Sequence, residues 1–428
     1  SLAVRTVLVC PNTAAGSIIP VPAFRIATVT TADQNWQDAL PDAFEAYSGG
    51  RAIDEVECIV PDLAGMSRGK AMPLKKFTPD HVIHLPVSIF YQTITGADVE
   101  MDIDNQWAEG DLILRPDMST AKAVPWAKEP TLQVIHDLYA RDGSPVNIAP
   151  RQVLKNVIQL YTDRGWSPVV APELEFYLVK PNTDPNEPIE APVGRTGRRG
   201  TSRQSYSMSA VDDYGPVIDT IYQFAEDAGL AIDTVIQEDG AGQVEINLSH
   251  GDPLLLADQV FYFKRIIREA ALNHDMFATF MAKPMRDEPG SAMHVHQSVV
   301  DKEGNNVFSK KDGTASELFY GFLGGLQAYM PEAMLIFAPY VNSYRRFIDP
   351  WASPVNLAWA IDNRMTAEQA LSMPFHHPVV EGVFQDALQN LLEKLKAPAV
   401  HPLEPDAAKT AGGQSRGKQP SRADPTAA

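Results

Sequence analysis

The sequence predicts an α+β protein in two unequal parts. A small, mostly β unit over residues 42–147 precedes a larger unit over 148–400, in which helices pack over a curved sheet. Three observations predict this. At 428 residues the chain is too long for one compact core. Up to Asn147 the apolar runs are short and broken by Pro and Gly, which is a strand pattern. Beyond it, segments of helical period alternate with strand-like runs.

Residues 1–41 read as an irregular extension, with turn signals at "CPNTAAG" and "IIPVPAF". The opening "SLAVRTVLVC" is too short and interrupted to be read as a signal peptide. In the small unit "VECIVPDLAG", "HVIHLPVSIF", "DLILRPDM" and "PTLQVIHDLY" read as strands. In "APRQVLKNVIQLYTDRGW" the apolar Val153, Val157, Leu160 and Tyr161 recur at helical spacing, and Gly165 supplies a stop. "SPVVAPELEFYLV" follows as a strand, then the loop "VGRTGRRGTSRQSYS" and a helix at "PVIDTIYQFAEDAGL". The strand "GQVEINLS", a long helix across "PLLLADQVFYFKRIIREAALNH" and the strand "AMHVHQSVV" complete the pattern. Residues 401–428 are rich in Pro, Ala, Gly and Lys with little to bury, and are predicted to be disordered.

Hydrophobic residues make up 44% of the chain and charged residues 21%, as in an ordinary globular protein. The net charge of −18 argues against nucleic acid or an anionic membrane as partner. It fits cationic substrates and divalent metals, although a solvated acidic surface gives the same number. Cys10 and Cys58 are the only cysteines, which excludes a disulfide framework and a cysteine zinc site and points to the cytoplasm. No apolar run approaches the roughly 18 residues that span a bilayer.

The chemistry concentrates in "APELEFYLV", "QEDGAGQVEINLSH" and "PGSAMHVHQS". Residues two apart on a strand share a face, so Glu173 projects with Glu175, and His294 with His296. Glu238 precedes a Gly-rich turn and Glu245 lies in the strand after it. Burying one carboxylate costs several kcal/mol, so carboxylates grouped on one face demand cations. Four carboxylates and an imidazole are the hard donors that Mg²⁺ or Mn²⁺ prefers. Downstream, "NSYRRFIDPWASPVNLAWAIDNR" carries Arg345, Arg346 and Arg364, guanidinium groups of the kind that bind phosphate through paired hydrogen bonds. Metals facing arginines describe a site that transfers a nucleotide's γ-phosphoryl group. There is no P-loop and no kinase motif set.

In this order "APELEFYLV", "GAGQVEINLSH", "GSAMHVHQS" and "NSYRRF…SPVNLAWAIDNR" resemble the catalytic domain of the glutamine synthetase family. "DLAGMSRGKAMP" and "EGDLILRPDMSTAKAVPW" resemble its N-terminal β-grasp domain, and the likeness covers roughly residues 42–365. The resemblance implies that Glu175, Glu238 and Glu245 hold a first metal, and that Glu173 and His294 hold a second. It places His296 and Ser298 at ATP, Gly290 on the loop that meets glutamate, and Arg346 and Arg364 at the transferred phosphate. It implies glutamate, ATP and an amine as reactants, with activation through a γ-glutamyl phosphate. It also implies two divalent sites and a homo-oligomer of stacked rings with active sites between subunits.

The family's ammonium site carries an Asp-Gly-Ser segment, where this chain reads "FYQTITG", Phe90 to Gly96. Pro289 stands where Asn is usual, and Ala352 where the family has its flap glutamate. These departures are similar to the branch that couples glutamate to organic amines, such as γ-glutamylputrescine synthetases. An ammonium-using glutamine synthetase is the alternative. After Arg364 the family's Glu-Asn-Arg stretch is missing and the chain reads "MTAEQALSMPFHHPVVEGVFQDALQNLLEKL". A truncated or frameshifted gene competes with a lineage that replaced the segment, leaving an impaired nucleotide- or glutamate-binding protein. The helical period of Val380, Phe384, Leu388, Leu391 and Leu392 favours a folded replacement.

Overall fold

The computed structural model describes residues 3–8, 40, 42–78, 82–92, 97 and 110–348. Arg364, Ala352, most of the Phe90–Gly96 stretch and the segment from 401 onward lie outside them. The described helices are α1 (Asp42–Ser48), α2 (Pro150–Thr162), α3 (Met208–Asp213), α4 (Gly215–Asp227), α5 (Pro253–Leu272), α6 (Glu317–Phe337) and α7 (Val341–Tyr344). Among the described residues no helix is long and apolar enough to cross a membrane.

Two six-stranded sheets organise these residues. One runs β3 (Ser67–Pro73), β2 (Glu55–Pro61), β7 (Thr131–Tyr139), β5 (Asp111–Pro116), β4 (Ile83–Pro86), with β6 (Lys122–Ala123) beside β7. Strand alternation gives it two apolar faces. Val56, Cys58, Val60, Leu132 and Val134 enter a core with Phe44, Phe77, Phe90 and Leu114. Ile59 and Ile135 join the core of the second sheet.

The second sheet runs β1 (Ala3–Leu8), β12 (Ala292–Val300), β8 (Ser167–Val179), β10 (Gln243–Asn247), β9 (Thr234–Gln237), with β11 (Phe277–Thr279) beside β8. Leu174, Phe176, Leu178, Val244 and Ile246 pack on Ile218 and Ile221 of α4 and on Phe263, Ile266 and Ile267 of α5. Helix α5 starts where the sequence sets a stop and a cap together. Asp252 accepts a hydrogen bond from the Leu255 amide at 2.9 Å, and Pro253 opens the first turn. The helix also ties the two sheets. Tyr262 Oη donates to Thr120 O at 2.7 Å, Lys264 Nζ to Gly65 O at 3.2 Å, and Arg265 to Glu57 at 2.6 Å.

The structure differs from the sequence reading in two places. Residues 3–8, expected to be irregular, form β1, which runs parallel to β12 with Arg5 in register with His294. Val4, Thr6 and Val7 supply β-branched residues, and the open edge of β12 supplies the partner. Among the described residues of "HVIHLPVSIF", 82–90, the strand is Ile83–Pro86, because Pro86 starts a 3₁₀ turn over Val87–Phe90. Helix α2 forms as its period predicts, yet Val157 is 43% and Leu160 56% exposed, so its apolar stripe is not a core face here.

Candidate active site

The face of the second sheet turned away from α4 and α5 is polar. It is the same alternation read from the other side: Leu174, Phe176 and Leu178 go to the helices, while Glu173, Glu175 and Tyr177 project opposite. Antiparallel register then assembles the rest. Glu245 of β10 lies across from Glu175, and His294 of β12 across from Glu173. Directly opposed residues bring their Cβ atoms to about 5 Å. Potential ligand atoms of Glu173, Glu245 and His294 all fall within 4.8 Å of one another.

Glu173 anchors the imidazoles. Its Oε2 is 3.0 Å from His294 Nδ1 and its Oε1 is 2.7 Å from His296 Nε2. Burial alone would raise its pKa, but hydrogen bonds and charge from the two rings hold it down at about 2. His294 Nε2 is buried and has no hydrogen-bond partner among the described residues. Glu175 is fixed differently: its Oε2 accepts from the Ala292 amide at 2.8 Å and from Gln243 Nε2 at 3.1 Å. Its Oε1 stands 3.7 Å from His294 Nδ1.

The other two acids carry the electrostatic strain. Glu238, just past the end of β9, is pushed up to about 7, first by burial and then by the charge of Glu175. Glu245 is pushed up to about 9, first by burial and then by Glu238, Glu175 and Glu173. A cation shared by these carboxylates would reverse both shifts. An orphaned imidazole nitrogen beside crowded carboxylates is a donor set that fits Mg²⁺ or Mn²⁺.

The loops at the strand ends are locked together. Gly242 holds φ +78°, a conformation that favours glycine, and closes the turn between Glu238 and Glu245. Gln243 Oε1 accepts from the Gly240 amide at 3.0 Å, and its Nε2 donates to Gly290 O at 3.1 Å. Tyr177 Oη donates to Pro289 O at 2.7 Å, and the Ala241 amide donates to Glu288 at 2.9 Å. Gly290 is a close approach: a Cβ there would lie 2.5 Å from Arg346 Nε and 2.8 Å from Ala282 O. Arg346 is 3% exposed, while the neighbouring Arg345 is exposed. Asn342 holds this segment in place, accepting from the Lys283 amide at 2.8 Å and donating to its carbonyl at 2.9 Å.

The structure therefore brings Glu173, Glu175, Glu238, Glu245, His294 and His296 together, and sets Gly290 against Arg346. His296, expected at ATP, bonds to Glu173. Ser298 lies opposite Val169, four residues along β12 from His294, or about 13 Å at strand rise. Two cavities among the described residues, of about 540 Å³ and 320 Å³, lie elsewhere, the first beside Arg268 and Phe277, the second beside Trp166 and Phe308.

Sequence reasoning missed Tyr206. It holds φ +63°, rare for a residue with a side chain, and is 74% exposed. Its amide donates to Gln237 O at 2.9 Å, and its hydroxyl feels Glu238, Glu245 and Glu173, which together with burial raise its pKa. The only sequence signal was an aromatic residue inside an Arg- and Ser-rich loop. Gln243 was also missed, hidden in a run that reads as ordinary strand.

A family model for the glutamine synthetase catalytic domain matches residues 147–390. The chain belongs to the glutamine synthetase family. The match runs past Arg364, where the recognisable motifs stop, and takes in Val380, Phe384 and Leu388. Among relatives, this glutamine synthetase family member is 36% identical over 320 residues to the γ-glutamylputrescine synthetase of Escherichia coli (strain K12), covering 73% of this chain and 67% of that protein. It is 34% identical over 336 residues to a glutamate–isopropylamine ligase of a Pseudomonas species, covering 75% and 71%. A solved structure described as a GmaS/ADP complex superposes with a TM-score of 0.58 at 26% identity, covering 73% of this chain and 67% of that one.

Proposed function

We propose that this protein is an ATP-dependent ligase that joins the γ-carboxylate of glutamate to an organic amine through a γ-glutamyl phosphate. The observation that carries the reading is the convergence of Glu173, Glu245 and His294 within 4.8 Å, with the buried His294 Nε2 left over. Glu175, Glu238 and Glu245 hold one divalent ion in this reading, and Glu173 and His294 a second. Bound there, the ions would supply charge neutralisation for phosphoryl transfer. The remaining steps belong to the side chains. Arg346, packed against Gly290, is assigned to the transferred phosphoryl group, with Arg364 as its expected companion. His296 steadies Glu173 and with Ser298 lines the route to ATP along β12. Glu238 is also assigned the proton that an attacking ammonium group must lose. The N-terminal sheet is assigned as a β-grasp domain, and the assembly as stacked rings of a cytoplasmic enzyme. The relatives that act on putrescine and isopropylamine favour an organic amine over ammonium.

The test is to incubate the protein with glutamate, ATP and Mg²⁺ against putrescine, isopropylamine and ammonium, following phosphate release and product mass. Turnover with an organic amine supports the reading. Turnover with ammonium alone makes the protein a glutamine synthetase, and nucleotide binding without turnover overturns catalysis. In the same assay Tyr206→Ala is expected to raise the KM for the amine about fivefold, with the KM for ATP unchanged. An exposed aromatic face beside carboxylates contributes about 1 kcal/mol to holding an organic cation. Equal loss for ATP and amine would show that Tyr206 only shapes its loop.

A further inference from the structure

Three consecutive backbone carbonyls, those of Glu288, Pro289 and Gly290, are each taken by a side chain from a different segment. Lys283 Nζ donates to Glu288 O at 2.5 Å, Tyr177 Oη to Pro289 O at 2.7 Å, and Gln243 Nε2 to Gly290 O at 3.1 Å. All three donors are buried. Inward-turned carbonyls are ordinarily matched by the amides of a helix or a sheet ladder. Side chains do that work here, so the loop keeps a shape that no regular ladder would hold. The Ser291 amide, bonded to Ala282 O at 2.8 Å, and the Ala292 amide, bonded to Glu175 Oε2 at 2.8 Å, carry the anchoring into β12.

Tyr177 sits at the centre of this arrangement. Its hydroxyl also lies against Gly240, where a Cβ would collide with Oη. One phenol therefore touches both the turn after Glu238 and the loop that carries Gly290. It stands two residues past Glu175 on β8, on the same face, so the strand that supplies two of the acids also sets the distance to the loop. Gln243 reaches further. Its Nε2 lies 3.1 Å from Glu175 Oε2 as well, which joins the loop to the acid cluster. Lys283 anchors the other side, its own amide and carbonyl held by Asn342 of α7.

We infer that Tyr177 and Lys283 are positioning residues for glutamate, holding the 288–290 loop in the shape that receives it. The inference rests on the reading of Gly290 as the loop that meets glutamate. Each side chain acts through the loop's backbone, and neither belongs to the assigned metal or nucleotide ligands. Loss of one anchor lets the loop populate other shapes. The fraction competent to bind glutamate then falls, and the apparent dissociation constant rises in proportion. Gln243, which also bonds Glu175, acts on glutamate and metal together.

The test compares Tyr177→Phe, Lys283→Met and Gln243→Leu with wild type, using ATP, Mg²⁺ and whichever amine gives turnover. Tyr177→Phe and Lys283→Met are each expected to raise the KM for glutamate about fivefold, the effect of one net hydrogen bond, with the requirements for ATP and Mg²⁺ within about twofold of wild type. Gln243→Leu is expected to raise the requirements for glutamate and Mg²⁺ together. An unchanged KM for glutamate in the first two variants, or equal rises for glutamate, ATP and Mg²⁺, overturns the inference. Amide hydrogen exchange reads the loop without turnover. Tyr177→Phe is expected to speed exchange at Ser291 and at Ala241, whose amide bonds Glu288, about fivefold while α5 keeps its protection. Unchanged exchange there, or faster exchange across β8, β10 and α5 alike, overturns it as well. A wild type without turnover would instead defeat the proposed reaction. Glutamate-dependent protection of Ser291, expected to need about fivefold more glutamate in Tyr177→Phe, then decides the inference by binding alone, and its absence from the wild type overturns it.

Discussion

Glu245→Gln is expected to lower kcat at least about 100-fold and yet to make the metal-free protein more stable. Both effects come from the same crowding. As a ligand, the Glu245 carboxylate helps hold ions that supply several kcal/mol of charge stabilisation, so its loss costs about two or more decades of rate. Without ions, burial first and then the charges of Glu238, Glu175 and Glu173 disfavour its ionised form, which is why its pKa stands at about 9. The sign follows from linkage. In the unfolded chain a glutamate ionises near pH 4.3, whereas in the metal-free fold Glu245 keeps its proton until about 9. The fold therefore loses stability as pH rises across that window, and Gln removes this decline. Thermal melts with chelator from pH 5 to pH 9 should show the wild type falling and the variant flatter. Added Mg²⁺ should raise the wild-type Tm most at high pH, where the carboxylates bind without first releasing protons. A variant that melts lower than wild type at pH 8 without metal would show that Glu245 is a structural group held by partners, and would sink the cation reading of the site.

How much of this was legible depends on period. Strand alternation places Glu173 with Glu175 on one face and His294 with His296 on another strand's face, and the register that joins them follows from antiparallel neighbours. The conformations of loops are not periodic, so Tyr206 at φ +63° and the Gln243 bridge between Gly240 and Gly290 left no readable trace. Burial is also not local. Arg345 and Arg346 are adjacent in sequence, yet the first is exposed and the second closes on Gly290. Helix α2 shows the converse: its apolar period is plain in the sequence, but the period says nothing of what covers it. β1 was missed because a six-residue strand is stable only when an edge is waiting, and that edge is nearly 290 residues away.

Arg151→Met is expected to destabilise the protein by about 3–5 kcal/mol, the cost of leaving buried charges without their partner. Arg151 ties the first sheet to helix α5. Its Nε and Nη2 hold Asp258 of α5 at 2.9 and 2.8 Å, Nη1 reaches Asp137 at 2.6 Å, and Nη2 also reaches Asp117 at 2.9 Å. One guanidinium thus bridges three aspartates, and Lys155 beside Asp137 adds a second positive charge. Met keeps an apolar stem like that of Arg and removes the guanidinium, so the loss measured is mainly that of the charge and its hydrogen bonds. Burial raises the pKa of Asp258, whereas Asp117, despite burial, is lowered by Ser119 and Arg151. A lowered carboxyl contributes stability above its unfolded pKa of about 3.9 and loses it as pH falls through the folded value. The gap between wild type and variant should then be widest at neutral pH and narrow below about pH 4, as the freed aspartates take protons. Urea denaturation at pH 7 and pH 4 measures it. Adding Asp258→Leu to the variant should restore much of the stability, because replacing both members of a buried pair removes the orphaned charge that replacing one leaves. A double variant no more stable than the single one would place the cost in lost shape rather than in charge.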